Sequence, residues 1–183
     1  MTALPNKFSQ SFSGLTSKLV SQAPLIVLIL TPILLANDIN ELIYSKVNNG
    51  VYQAGFSSNQ VAYEEAFDAL FGAFEILEDR LSKQRYLCGE RITEADWRLF
   101  PTLFRFDAVY HYAFKCNKKH LYQYPNLWGF TRDLYQQPGI AEICYLEEAK
   151  LGYWSGPKIN PLGTIPKGPD IDFDERHDRD RFN

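Results

Sequence analysis

Cysteine is the residue type in this sequence best suited to act as a nucleophile, and one of its three cysteines lies among positive charges. The segment KCNKK surrounds Cys116 with lysines, which would favour the reactive thiolate form of its side chain. Cys88 and Cys144 lie at equal distances on either side of it along the chain. The alternative is that Cys116 is an unreactive thiol packed in the core, and its charged neighbours alone do not decide between the two.

The remaining chemistry-bearing residues argue against a metal or nucleic-acid function. No CxxC pair occurs and the three histidines are scattered, so we expect neither a metal site nor a disulfide framework. Dispersed thiols are typical of a reducing compartment, from which we expect a cytoplasmic location. The net charge is −3 and no basic stripe alternates with aromatic residues, so we expect no nucleic-acid partner.

The chain of 183 residues is 45% hydrophobic, which is enough for one buried core. Its first part, residues 1–37, contains the apolar run Ala23–Ala36, which is shorter than the roughly 20 residues that a membrane-spanning helix needs and is interrupted by Pro32. We therefore do not expect a membrane protein, and a targeting segment or a buried segment are the alternatives for this run.

Helical patterns fill the second part, residues 38–154. Apolar residues at three- and four-residue spacing, together with start and stop signals, predict helices over Asp38–Lys46, Asn59–Leu81, Thr93–Phe114, Asn126–Tyr135 and Ile140–Leu151. The first of these is expected to end before Asn48-Asn49-Gly50. Strand signals are almost absent, so the fold class is all-α. The third part, residues 155–183, is rich in proline and charge and should be extended and solvated.

The helix that begins at Thr93 has a reciprocal cap written into its sequence. The Thr93 hydroxyl can accept from the Asp96 amide, and the Asp96 carboxylate can accept from the Thr93 amide. We therefore assign Thr93 and Asp96 to folding and not to chemistry. Asp107 in the same helix has a structural role as well, pairing either with Arg105 or with a backbone amide.

A helical domain with the capped segment TEADWRLF resembles the C-terminal domain of glutathione transferases. A finer resemblance, to the Xi-class glutathionyl-hydroquinone reductases, rests on NNGVYQAGF, FKCNKK and INPLGTIPKGPDIDF, at residues 48–56, 114–119 and 159–173. It extends from about Asp38 to Phe182. The resemblance implies a glutathione transferase C-terminal-like helical bundle with an extended C-terminal tail.

Enzymes of this family carry an N-terminal thioredoxin-like domain, which binds glutathione and provides the catalytic cysteine. Residues 1–37 are too few for such a domain and contain no cysteine. The resemblance also places Cys116 in a motif of the helical domain, where it is not the nucleophile. We therefore expect no catalytic residue in this chain and no activity unless a thioredoxin-like partner domain is supplied.

The activity that the resemblance implies is the glutathione-dependent reduction of glutathionyl-hydroquinones. Glutathione would be the cosubstrate and an aromatic quinone-type molecule the substrate. By resemblance, Tyr52 and Tyr153 match tyrosines that line the quinone pocket, and Tyr110 and Tyr112 border it. Tyrosine suits this task because, with a pKa near 10, it is a neutral hydrogen-bond donor at physiological pH.

Two further points follow from the resemblance. Ala113 occupies a position where relatives carry a histidine, and His111 points about 200° away around the helix, so it cannot take that place. Relatives dimerise through the helical domain, so a homodimer is expected.

The alternative to an enzyme is a non-catalytic helical module used for dimerisation or docking.

Overall fold

Helices carry most of residues 37–182, the part of the chain that the computed structural model describes. The five longer α-helices are α1 (Gly50–Phe56), α2 (Gln60–Lys83), α3 (Glu94–Arg105), α4 (Pro125–Tyr135) and α5 (Leu146–Trp154). Within the described residues there is no β-strand, and one isolated bridge joins Tyr86 to Gly89. The all-α class predicted from sequence is confirmed.

Shorter helical segments complete the architecture. An α-helical stretch at residues 37–42 continues as the π-helix Ile43–Asn48, and α3 continues as the π-helix Phe106–Tyr110 and a last turn, His111–Ala113. No helix among residues 37–182 is both long enough and apolar enough to cross a membrane. The apolar run Ala23–Ala36 lies outside the described residues.

Helix α2 runs through the core and was predicted almost residue for residue. The Asn59 side chain caps it by accepting from the amides of Val61 and Ala62, at 2.9 and 3.2 Å. Of the apolar positions at helical spacing, Ala66 and Phe67 are partly buried and the others are fully buried: Leu70, Phe71, Phe74, Leu77 and Leu81. Phe71 and Phe74 pack edge to face or tilted against the rings of Phe106 and Tyr124 from other segments, so this helix is the centre of the bundle.

The helix stop expected at Asn48-Asn49-Gly50 was wrong. Asn49 keeps a helical backbone conformation, and the chain passes through it from the π-helix into α1. The Asn48 side chain donates to the Arg98 carbonyl at 3.1 Å and accepts from the Thr102 hydroxyl at 2.8 Å. These polar residues therefore attach the segment to α3, because a tertiary partner satisfies the side chain that would otherwise end the helix.

The start of α3 depends on one buried carboxylate. Asp96 is fully buried, and its two oxygens accept from the Thr93 amide at 2.7 Å, the Thr93 hydroxyl at 2.8 Å and the Leu87 amide at 2.8 Å. The third bond reaches out of the helix to the preceding loop. Burial raises the pKa of Asp96, and the donated hydrogen bonds oppose that rise.

The prediction of a single helix over Ile140–Leu151 is wrong in the middle of this range. Residues Ala141–Ile143 form a single 3₁₀ turn, the backbone leaves the helical region at Cys144 and Tyr145, and α5 begins only at Leu146. The apolar spacing across this stretch is compatible with one helix, but the tertiary structure divides it into two segments.

The tail from residue 155 follows an extended path, but the expectation that it is solvated was wrong at two positions. Phe173 packs between rings of α3 and α4, 4.9 Å from that of Phe104. Arg179 is fully buried and donates to the carbonyl of Leu81 in the last turn of α2 and to those of Gln84 and Arg85 just after it. These carbonyls lack partners within the helix, so the tail supplies the C-terminal cap.

We expect Asp96→Ala to destabilise the protein by about 2–3 kcal/mol, because the buried Leu87 amide and the partly buried Thr93 amide would lose their acceptor. Urea unfolding at neutral pH, followed by circular dichroism, measures this change. Glu94→Ala, on the exposed side of the same turn, is the matched control and should cost less than about 1 kcal/mol. Equal losses from the two variants would contradict the role assigned to the buried carboxylate.

Candidate functional site

Three tyrosine hydroxyls from distant parts of the chain meet at one point. The Tyr52 and Tyr153 oxygens are 2.6 Å apart, those of Tyr110 and Tyr153 are 3.0 Å apart, and those of Tyr52 and Tyr110 are 3.3 Å apart. We call these three residues the tyrosine cluster. All three were expected at the aromatic pocket, and the structure brings them together. Tyr112, the fourth tyrosine expected there, lies exposed beside His111.

Each member of the tyrosine cluster comes from a different element. Tyr52 lies on α1, Tyr110 ends the π-helix that follows α3, and Tyr153 lies near the end of α5. The indole N–H of Trp154 donates to the Ala108 carbonyl at 3.3 Å and so attaches α5 to the π-helix. The cluster therefore depends on the packing of three helices.

A phenylalanine forms the apolar support of the cluster. The ring of Phe114 lies 5.3–5.9 Å from the rings of Tyr52, Tyr110 and Tyr153. A Cβ atom at Gly55 would overlap the Phe114 side chain, so glycine at this position permits the close approach of α1. Sequence patterns gave little indication of either role, apart from the four-residue spacing of Tyr110 and Phe114 on one helical face.

The helix that carries Tyr110 and Phe114 ends in a sharp turn. Lys115 adopts the left-handed conformation, with φ 59°, and its carbonyl accepts from the Tyr63 hydroxyl at 2.8 Å. The Cys116 amide then donates back to the Tyr110 carbonyl at 3.1 Å. This turn holds Phe114 in place behind the cluster.

The environment of the cluster favours the protonated hydroxyls of Tyr52 and Tyr110. Burial, followed by hydrogen bonds to Tyr153 and Tyr52, raises the pKa of Tyr110 well above its usual value. Burial also raises the pKa of Tyr52. Tyrosine hydroxyls both donate and accept hydrogen bonds, so the cluster can donate to or accept from a phenolic oxygen.

The lysines around Cys116 do not make it reactive. Its thiol is fully buried and donates to the Phe114 carbonyl at 3.6 Å, and burial raises its pKa to about 12. The charge of Lys115 opposes this rise only in part. The structure therefore favours the packing role over the nucleophilic one.

Other polar residues singled out from sequence lie in separate contacts. Asp107 is buried and accepts from the Leu121 amide at 2.8 Å, the second of the two partners considered for it. His111 stacks on His120 with ring centroids 3.8 Å apart, and burial lowers its pKa to about 4. Its ring contacts are therefore with the other histidine and Tyr112, and not with the cluster.

An opening beside Tyr153 shares two of its lining residues with a larger groove. The opening, of about 330 Å³, is lined by Arg105, Ala149, Gly152 and Tyr153. Arg105 and Ala149 also line an aromatic groove of about 540 Å³ between α3 and the segment at residues 140–149. Arg105 was considered from sequence only as a partner for Asp107, and its position here was not predicted.

Comparisons with known proteins agree with this architecture. Residues 60–133 match the family described as "Glutathione S-transferase, C-terminal domain". The chain is 49% identical over 145 residues to the glutathionyl-hydroquinone reductase YqjG of Escherichia coli K12, covering 79% of this chain and 44% of that protein. The chain thus spans less than half the length of this relative.

Solved structures give the same result. The glutathione-bound structure of YqjG has a TM-score of 0.77 at 48% identity, covering 79% of this chain and 48% of that one. A Xi-class glutathione transferase from Natrialba magadii has a TM-score of 0.78 at 45% identity, covering 80% of this chain and 46% of that one. The chain therefore belongs to the glutathione S-transferase family, of which it contains the C-terminal helical domain, and it is similar to glutathionyl-hydroquinone reductases and to Xi-class glutathione transferases.

Proposed function

We propose that this chain supplies the aromatic-substrate half of an enzyme that reduces glutathionyl-hydroquinones with glutathione. The observation that carries the proposal is the convergence of the Tyr52, Tyr110 and Tyr153 hydroxyls within 3.3 Å of one another. The similarity to YqjG, which is described as a glutathionyl-hydroquinone reductase, supports the same substrate class.

The chemistry requires a ring to be held while sulfur is removed from it. In the class that the chain resembles, a thiolate attacks the sulfur of the substrate, the hydroquinone ring leaves with a proton, and a second glutathione resolves the mixed disulfide. The part we assign to this chain is recognition of the ring oxygens. Neutral tyrosine hydroxyls suit it because they can donate to an oxygen whose negative charge increases during the reaction.

Cys116 does not suit the role of the attacking sulfur. Cys116 contacts the cluster through its backbone, and its thiol is buried with a pKa of about 12. We propose that a thioredoxin-like domain provides the thiol and binds glutathione, either as part of a longer protein or as a partner. We also propose a cytoplasmic location, which the three free cysteines support.

An unreactive Cys116 also favours a second candidate function. The chain could act as a non-catalytic helical module that dimerises or docks with another protein and keeps the tyrosine cluster as a structural element. Ligand binding distinguishes the two functions, because only the enzyme half requires an aromatic ligand at the cluster.

We expect Tyr52→Phe and Tyr153→Phe each to weaken the binding of 1,4-hydroquinone about fivefold, since each removes one hydrogen bond. Isothermal titration calorimetry under anaerobic conditions measures the affinity. Tyr122→Phe, an exposed tyrosine outside the cluster, is the control and should bind as the unmodified chain does. Failure of hydroquinone to bind the unmodified chain would favour the docking module.

We expect the purified chain alone to show no reduction of glutathionyl-hydroquinone by glutathione, because no reactive thiol is available at the cluster. Hydroquinone release, followed by liquid chromatography, tests this. Turnover that Cys116→Ser abolished would contradict the packing role of this thiol and the division of labour proposed here.

We further propose that the chain forms a homodimer through its helices. Exposed apolar side chains on the first helical segments, Tyr44, Val61 and Ile76, provide surface that association would bury. Light scattering should give about twice the 21.1 kDa of one chain. A mass of one chain at micromolar concentration would contradict the proposal.

A further inference from the structure

Arg105 is a half-buried cation at the end of α3 without a partner in the described structure. Its guanidinium makes no hydrogen bond or ion pair to any residue in the range 37–182. Asp107, two residues later, is occupied by the Leu121 amide, and Arg98, two turns earlier, pairs with Glu94 at 2.6 Å. A partly desolvated guanidinium without a counter-charge favours the binding of an anion from outside these residues.

The aromatic groove next to Arg105 has the size and composition of a small-molecule site. Its volume of about 540 Å³ lies within the range for pockets that hold such ligands. Phe100 and Phe104 form its floor, with stacked rings 5.7 Å apart, and both are nearly fully buried. Trp97, Ile140 and Tyr145 line its sides. An aromatic ring would find apolar contact on each of these surfaces.

Arg105 also connects the groove to the tyrosine cluster. It lines both the groove and the opening that reaches Tyr153. Its positive charge acts on both sides. Burial raises the pKa of Tyr52 and that of Cys144, and the charge of Arg105 lowers each of them in part. Glu148 is the carboxylate among the groove-lining residues; it lies exposed on α5 and is not paired with Arg105.

We propose that Arg105 and the aromatic groove bind an aromatic substrate that carries a carboxylate, with its phenolic hydroxyl at the tyrosine cluster. This inference rests on the function proposed above and specifies its substrate class: hydroquinones that bear an acidic substituent. The ring lies on Phe100 and Phe104, and Arg105 forms a charge-assisted hydrogen bond to the carboxylate.

A carboxylate could reach Arg105 from two sources, the ring substituent or the glutathione moiety of a conjugate. The groove argues for the ring substituent, because its walls are aromatic and aliphatic and offer few polar groups for a peptide backbone. Glutathione alone, used as a competitor, separates the two sources.

The test compares 2,5-dihydroxybenzoate with its methyl ester and with 1,4-hydroquinone, by calorimetry on the full chain. We expect the acid to bind about tenfold more tightly than the ester, since a hydrogen bond between charged groups at a half-buried position is worth about one factor of ten. Arg105→Gln should remove this preference. Arg98→Gln, which removes a positive charge from the same helix but not from the groove, should retain it. Circular dichroism of both variants confirms that they fold.

Several results would overturn the proposal. Equal affinity for acid and ester would do so, as would a preference that survives Arg105→Gln. Displacement of the acid by glutathione, with glutathione binding weakened by the same variant, would assign Arg105 to the glutathione carboxylate. Binding of the acid that weakens as protein concentration rises would assign the groove to a second copy of the chain.

The two proposals fail in different ways. If 1,4-hydroquinone binds and Tyr52→Phe weakens it, but the acid shows no preference, the inference about Arg105 falls and the proposed function stands. If none of the three phenols binds, the proposed function falls and this inference falls with it.

Discussion

The buried carboxylate of Asp96 is the interaction on which the rest of the domain depends. A charged group inside a protein is tolerated only where hydrogen bonds replace its lost hydration, and Asp96 receives three. Two of them begin α3 and the third fixes the loop at Leu87 against it. Because α3 then carries Phe100, Phe104 and Arg105 and continues into the π-helix that ends at Tyr110, the placement of its first turn sets the placement of both the groove and the cluster.

The tyrosine cluster combines apolar packing with a small polar centre. The rings pack on Phe114 and on one another, and the hydroxyls satisfy one another at the point where the three elements meet. This arrangement avoids the cost of burying a lone hydroxyl and leaves lone pairs for a further partner. A stable structural element and a candidate binding site are therefore compatible in the same three side chains.

Neighbouring polar residues on α3 and on the π-helix that continues it have very different environments. Asp107 is buried and bonded to a backbone amide, whereas Arg105, two positions earlier, is half-buried and has no partner among the described residues. A turn of about 200° separates the two side chains around the helix, so proximity in sequence did not make them a pair. Cys116 provides a similar case, because its lysine neighbours lie close in sequence while its burial controls its reactivity.

The amino-acid sequence by itself determined the helices α2, α3 and α4, most of their buried faces and the Thr93–Asp96 contact that begins α3, because these depend on contacts within one or two turns. Motif resemblance also named Tyr52, Tyr110 and Tyr153, although nothing in their spacing predicts that they meet. Only the tertiary structure decided that these residues, 58 and 43 positions apart along the chain, share one point, that Arg179 of the tail caps α2, and that Arg105 lies unpaired beside a groove. The physical reason is that such contacts depend on how separate helices pack, and the free energy of that packing is summed over the whole core and not over any local segment.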